Sequence, residues 1–403
     1  MTGPLDGIRV LDLTRFVSGP HATQMLGDFG ADVVKVEPPG IGDPTRVLDR
    51  MAGEPDSLFA ITISRSKRSL ALDLYSEEGK AVLTDLIKAA DVLVENFRPG
   101  TMERMGFGWE QVKEINQRLV FVRVSGFGQD GPWAGRAAYD PVIQALSGFM
   151  ELTGPADGPP TVCGTIITDY LTGLHTVIGT LTALQSRERT GVGQWVDVAM
   201  LDGATTLLNT VLPEFFLHGR ARTRQGNLNP ISVPSQTFPC RDGRYVHITA
   251  ANDLDFVKIC KVMGRPDLPE DPRYATIESR KLHQQPSEQL ITDWTMGLDS
   301  EEVERLLLAE KLAITRVATI EDVATNPQLA HRGHFVDVEH PIQGKVKVAG
   351  PAIRFSGHPM PDNHRIPLAG QHSEEILRDW LGYDAERLSA LQTAGTISKP
   401  PTA

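Results

Sequence analysis

The chain has 403 residues, enough for one large hydrophobic core and a smaller second one. Its formal charge of -11 at pH 7 and pI near 5.5 argue against nucleic-acid and membrane partners, although a local basic cluster still suits a phosphorylated ligand. Cys163, Cys240 and Cys260 are scattered without CxxC spacing, which excludes a disulfide framework and fits a reducing compartment. The start has no signal-like pattern and no window reaches the roughly 18 apolar residues of a membrane span, so a cytoplasmic protein is expected.

"GIRVLDLT" (7 to 14) reads as a strand, followed by a Gly-Pro break, the helix-spaced "HATQMLGDFG", and a second strand in "ADVVKVEPPG" stopped by Pro38 and Pro39. The rhythm continues through "SLALDLY" (69 to 75), a helical 76 to 90, "DVLVENF" (91 to 97), a helix over 109 to 117 and "LVFVRVSGFG" (119 to 128). Alternating strands and helices predict an α/β fold with an open, doubly wound, Rossmann-like parallel sheet, whose ligand crevice lies beyond the carboxyl ends of the strands. Residues 139 to 218 read as mainly helical. Asp169 heads their longest apolar segment, in which Gly173 and Gly179 allow close approach of another backbone. A polar stretch, "RTRQGNLNPISVPSQ" (222 to 236), leads into a smaller α+β domain reaching to about 325. A hairpin turning at Gln343-Gly344 and a terminal helical pair follow.

Thr168 and Asp169 are both favoured helix caps, so local sequence assigns either of them a capping role first. A carboxylate in a dry pocket can instead act as a covalent nucleophile, and at this point both readings stand. "ENFRPGTMERMG" (95 to 106) sets Asn96, Phe97 and Arg98 directly after a strand, with Arg104 further on. An amide, an aromatic and two guanidiniums suit an adenine nucleotide; a turn with a buried Phe is the structural alternative. The basic run "SRSKRS" (64 to 69) reads as a solvated charge cluster. No G-x-G-x-x-G or P-loop motif appears, which weakens NAD and NTP readings. "HRGH" (331 to 334), His358 and His364 lack acidic partners at ligand spacing, so no metal is expected.

Taken together, the segments from "LDGIRVLDLTRFVSGP" through "SKRSLALDL", "ENFRPG", "SGFGQDGP", "AYD" and "TDYLTGLHTVIGTLTALQ" to "NPQLAHRGHF" resemble the class III CoA-transferase family, which includes CaiB/BaiF-like carnitine CoA-transferases, formyl-CoA transferases and α-methylacyl-CoA racemases. The resemblance implies a large domain from residues 1–221 and 326–403, a linker and small domain at 222–325, and an interlocked homodimer. It also implies that Asp169 is the nucleophile of a CoA transfer from an acyl-CoA to a free carboxylic acid, through mixed-anhydride and aspartyl-CoA thioester intermediates. Coenzyme A enters as substrate, and no permanently bound cofactor is expected.

The family pattern carries the CoA site onto Val17, Ser18, Leu72, Tyr75, Asn96, Phe97, Arg98, Arg104, Ala138 and Tyr139. Pro38 stands where relatives often place an Arg against adenine, and Tyr75 where a Lys is frequent. The grip is therefore expected to shift to Arg65, Lys67, Arg68 or Arg104. Val17, and "TAAND" (249 to 253) without a glycine run, depart from the oxalate-specific pattern. Two alternatives from the same resemblance are a racemase-like proton transfer and a noncatalytic subunit of a heteromeric CoA-transferase. The first is disfavoured because Tyr139, a weak acid with a reference pKa near 10, precedes Asp140 where racemases carry His; the second is disfavoured by the presence of Asp169.

Overall fold

The structure, a computed structural model, describes residues 3–229, 231–358 and 365–400, so His364 lies outside the described residues. The chain packs as two compact units, one of Met1–Phe149, Val162–Arg220 and Ala330–Ala403, the other of Met150–Thr161 and Ala221–Leu329. The first unit runs β1 (Arg9–Asp12), α1 (Ser18–Asp28), β2 (Asp32–Glu37), β3 (Arg68–Ala71), α2 (Glu77–Ala89), β4 (Val92–Glu95), α3 (Thr101–Met105), β5 (Val120–Ser125), α4 (Asp140–Leu146), α5 (Ile167–Thr190), β6 (Gln194–Ala199) and α6 (Val211–His218). Its six strands pair in parallel in the order β3-β2-β1-β4-β5-β6.

Alternate strand residues face opposite sides of the sheet, and both sides are covered. Val10, Val33, Val92 and Val122 pack with Ala22 and Leu26 of α1 and with Val177 and Leu184 of α5. Leu11, Val34, Leu93 and Phe121 pack with Leu83, Leu86 and Ile87 of α2, and with Ile376, Leu377 and Trp380 from near the chain's end. Two buried faces explain why these strands read as continuous apolar runs. Each fully buried Leu or Val contributes about 1.5 to 3 kcal/mol over an exposed one. Ser76 caps α2 by accepting the Gly79 N–H at 3.0 Å, with Glu77 and Glu78 in the first turn where the helix dipole favours anions.

Helices α1 and α5 cross closely because of Gly173. A Cβ there would stand 2.8 Å from His21 Cδ2 and 3.2 Å from the Ser18 carbonyl, so a side chain would push the amino end of α1 away. At Gly179 the close neighbour is instead the Val196 side chain, 3.0 Å from an added Cβ.

The second unit holds an antiparallel sheet of β7 (Ser235–Pro239), β8 (Tyr245–Thr249) and β9 (Ala313–Arg316) over a small helical core. Back in the first unit, β10 (Phe335–His340) and β11 (Gly344–Ala349) form a hairpin in which Gly344 already pairs with His340, so the turn itself is 341–343. Helix α7 (Ser373–Leu381) then docks on the sheet, where the Trp380 indole N–H donates to Asp32 at 2.8 Å. Among the described residues no helix is long and apolar enough to cross a membrane.

Candidate active site

Strand order reverses between β1 and β4, so the crevice of this sheet opens over their carboxyl ends. The two loops that leave there are tied together. Asn96 accepts the Arg15 N–H at 2.7 Å and donates its amide to the Arg15 carbonyl at 2.7 Å. The Arg15 guanidinium lies 5.2 Å from the centre of the Phe97 ring. Arg15 and Phe97 then line a cleft with Pro38, Pro39, Leu72 and Tyr75, all at the carboxyl ends of β1 to β4. Leu72 is buried and Tyr75 is 73% exposed, so the first shapes the cleft and the second is free to cover a ligand.

Asp169 is the third residue of α5. It is not the cap, and neither is Thr168. Asp140, at the start of α4, accepts both the Thr168 N–H at 2.7 Å and its hydroxyl at 2.6 Å, while its other oxygen takes the Gln144 amide at 2.6 Å. Ile166 occupies the cap position without a side-chain bond. The capping reading of Asp169 is thereby replaced: a carboxylate 28 residues before Thr168 does that work, and Asp169 is released toward α1.

There the hydroxyl and backbone N–H of Ser18, the first residue of α1, lie near it and favour its ionised form. Burial first, and then the nearby Asp140 charge, push its carboxyl up to about 6, against the lowering effect of the Ser18 donors. An amino-terminal helix end is a natural anion seat, to which Pro20, the third residue of α1, supplies no N–H. The loop feeding that turn is tightly built. Phe16 takes a left-handed φ of 61°, an uncommon conformation for an aromatic residue, and a Cβ on Gly19 would lie 2.5 Å from Thr14 Cγ2. His21 packs edge-on against Tyr170 at 4.9 Å, and burial holds it below the usual histidine range, so it walls the site as a neutral ring.

The basic run at 64–69 is not a solvated patch. Arg65 pairs with Asp28 at 2.8 Å, and Lys67 donates to Asp12 at 3.0 Å, to Thr23 at 2.8 Å and to the Pro20 carbonyl at 2.8 Å, all buried. Arg68 pairs with Asp32, Glu375 and Asp379. These three cations hold α1 and α7 to the sheet, which removes them as grips for a ligand phosphate. Arg104 is different: it is exposed, bonded to the Thr101 hydroxyl at 2.9 Å, and forms no ion pair among the described residues. Arg98 and Tyr139 are also exposed, and Ala138 lies against Gly126 in the loop after β5. Val17 is buried as the residue before α1. The predicted set therefore divides: Leu72, Tyr75 and Phe97 share the cleft, Asn96 fixes its wall, and Ser18 sits on Asp169.

The sequence profile of CoA-transferase family III matches residues 5–373. The chain belongs to that family. It is 37% identical to succinyl-CoA–D-citramalate CoA-transferase of Chloroflexus aurantiacus over 98% of both chains. It is 33% identical to human succinyl-CoA:glutarate CoA-transferase, over 99% of this chain and 91% of the relative. Formyl-CoA:oxalate CoA-transferase of Rhodopseudomonas palustris is 37% identical over 99% of both. A CaiB/BaiF family protein from Brucella suis has the same fold, with a TM-score of 0.85 at 34% identity, covering 94% of this chain and all of that one. The protein is a class III CoA-transferase on these grounds, and its substrate includes coenzyme A or an acyl-CoA. Two features of the family III chain were not legible from local sequence: the Asp140 cap, and the approach of Ser18 to Asp169. The Gly-Pro break after the first strand was the signal for the second, because it marks a helix start at the crevice.

Proposed function

We propose that the protein is an acyl-CoA:carboxylate CoA-transferase with Asp169 as its nucleophile. The observation that carries this reading is a carboxylate freed from capping, partly desolvated, and facing the amino end of α1. A carboxyl that titrates at about 6 is mostly ionised at neutral pH, yet it is less solvated than a surface Asp, which favours attack. Asp169 attacks the thioester carbonyl of the donor; the carbon–sulfur bond breaks, leaving an aspartyl-acyl anhydride and CoA thiolate. The thiolate attacks the Asp169 carbonyl carbon and the donor acid departs as its carboxylate. The acceptor carboxylate then displaces the thiolate to form a second anhydride. The thiolate finally takes the acceptor acyl group and returns Asp169 as carboxylate. No electron is gained or lost. Backbone N–H groups at the α1 start suit the oxyanions that form in these steps.

Coenzyme A fits the cleft of Leu72, Tyr75 and Phe97, with Asn96, Arg98, Arg104, Val17, Ser18, Ala138 and Tyr139 as further contacts. The names of the relatives pair succinyl-CoA with D-citramalate or glutarate, and formyl-CoA with oxalate, so these donors and acids head the screen. The test is mass spectrometry of the protein after reaction with each acyl-CoA: a CoA or acyl adduct on Asp169 supports the reading, and turnover retained by Asp169→Ala defeats it.

The functional form we infer is a homodimer of interlocked chains. Leu174 and Ile178 of α5 and Phe216 and Leu217 of α6 are exposed apolar residues, with Phe216 77% exposed, which suits burial against a second copy. Light scattering at micromolar concentration giving a monomer mass would reject this.

A further inference from the structure

We propose that Glu95 is a positioning residue for coenzyme A, holding the 96–104 loop in its ligand-ready shape from beneath; this rests on the reading of that loop as part of the CoA site. Glu95 closes β4 and is buried. One of its oxygens accepts the Phe97 N–H at 2.7 Å, and the other accepts Arg123 Nε of β5 at 3.0 Å. Arg123 reaches on to Glu103 of α3, with contacts of 2.8 and 3.2 Å. The chain of bonds therefore starts at the residue before Asn96, grips the backbone of Phe97, crosses to the neighbouring strand, and returns to the residue before Arg104. Both ends of the loop are pinned to one guanidinium.

Arg123 lies 5.3 Å from the centre of the Phe121 ring, and Met102 of α3 is buried in the core beneath. The charged groups that face this network are Arg123 from β5, Glu103 and its neighbour Arg104 from α3, and Asp197 from β6, which stands beside Arg123 in the strand register. Burial, opposed by Arg123 and the Phe97 N–H, raises the Glu95 carboxyl to about 7. The ionised carboxylate offers acceptors to both partners at once. A protonated one gives up part of that capacity, so the loop should loosen as pH falls through neutrality.

The test compares wild type, Glu95→Gln and Glu103→Gln by calorimetric titration with free CoA between pH 6 and 8.5, alongside steady-state kinetics. An amide can accept only one of the two donors, so Glu95→Gln should raise the Kd for CoA and the KM for acyl-CoA about tenfold while kcat stays within about twofold. Its CoA affinity should also lose the part of the wild-type pH dependence that the ligand's own phosphate does not supply. An unchanged Kd, or a fall in kcat at constant KM, overturns the proposal. Glu103 is 45% exposed, so its variant tolerates the change; if Glu95→Gln does not fold, an unchanged Kd in Glu103→Gln is the overturning result. Wild type that fails to bind CoA at all would defeat the CoA reading itself, an outcome distinct from altered loop geometry.

Discussion

Ser18 presents two donors, its hydroxyl and its N–H, towards Asp169, where the first turn of α1 approaches the first turn of α5. The close crossing at Gly173 makes that contact possible. The pair has a thermodynamic signature. The Asp169 carboxyl rises in the folded state from 3.8 to about 6, so folding favours its protonated form. Its contribution to stability is complete below the unfolded value and is lost as pH rises through the folded one.

Asp169→Asn should therefore be catalytically dead and yet more stable than wild type at pH 7. A rise from 3.8 to about 6, at about 1.4 kcal/mol for each tenfold change in acidity, sets a ceiling of roughly 3 kcal/mol on the gain. The gain should vanish below about pH 4, where both proteins are neutral at this position. Urea unfolding at pH 7.5 and pH 4 measures it. A variant less stable than wild type at pH 7.5 would mean that the carboxylate is held for the fold, not for chemistry.

Strands β1 to β5 were legible in the sequence because two-sided burial leaves them short apolar runs, whereas β6 lies within 139 to 218, which reads as mainly helical, and its exposed Gln194, Trp195 and Asp197 break the apolar pattern. The site was legible in part. Asp169 and the Asn96–Phe97–Arg98 loop stand out through the resemblance and through their place after predicted elements. The basic run at 64–69 misled because the partners that bury it are remote: Asp28 is 37 residues from Arg65, and Asp12 is 55 from Lys67. The same holds for Thr168, whose hydroxyl reads as a cap until Asp140 is folded onto it. Local sequence reports propensity, and these residues are decided by tertiary partners.

Asp140 raises the Asp169 carboxyl by charge while capping α5 by hydrogen bonding, and the two effects can be separated. In Asp140→Asn the side-chain oxygen still accepts from Thr168, and the Gln144 amide can turn to meet the new NH2. The charge beside Asp169 is lost, and the turned Gln144 gives up the Cys163 N–H that its Oε1 accepts at 2.9 Å. The acidic limb of kcat/KM, expected near pH 6 in wild type because only the ionised nucleophile attacks, should move to lower pH. A limb that stays in place would show that burial alone sets the nucleophile's acidity.

Lys67 is enclosed by Asp12, Thr23 and the Pro20 carbonyl, and it joins α1 to β1. Lys67→Met fills similar volume but leaves Asp12 without its nearest cation. The expected loss is about 3 to 5 kcal/mol, the usual result of breaking a buried pair from one side. It is read as a lower urea midpoint at unchanged slope. Loss of less than about 1 kcal/mol would mean that Lys35, the other cation acting on Asp12, compensates.

Truncating Arg104 should weaken CoA binding without touching the fold. Its guanidinium is exposed and held by the Thr101 hydroxyl, so truncation removes no buried partner. A direct charge-assisted contact to a phosphate contributes about 1.5 to 3 kcal/mol, which predicts a Kd for CoA raised roughly 10- to 100-fold in Arg104→Ala. Exposure places the value at the lower end of that range, and raising salt from about 0.05 to about 0.5 M should shrink the difference between the two proteins. Calorimetry at both salt concentrations decides. Equal affinities at low salt would move the phosphate grip elsewhere, and because Arg65, Lys67 and Arg68 are already committed to carboxylates, Arg98 and Arg15 at the mouth of the same crevice are the cations that would inherit it.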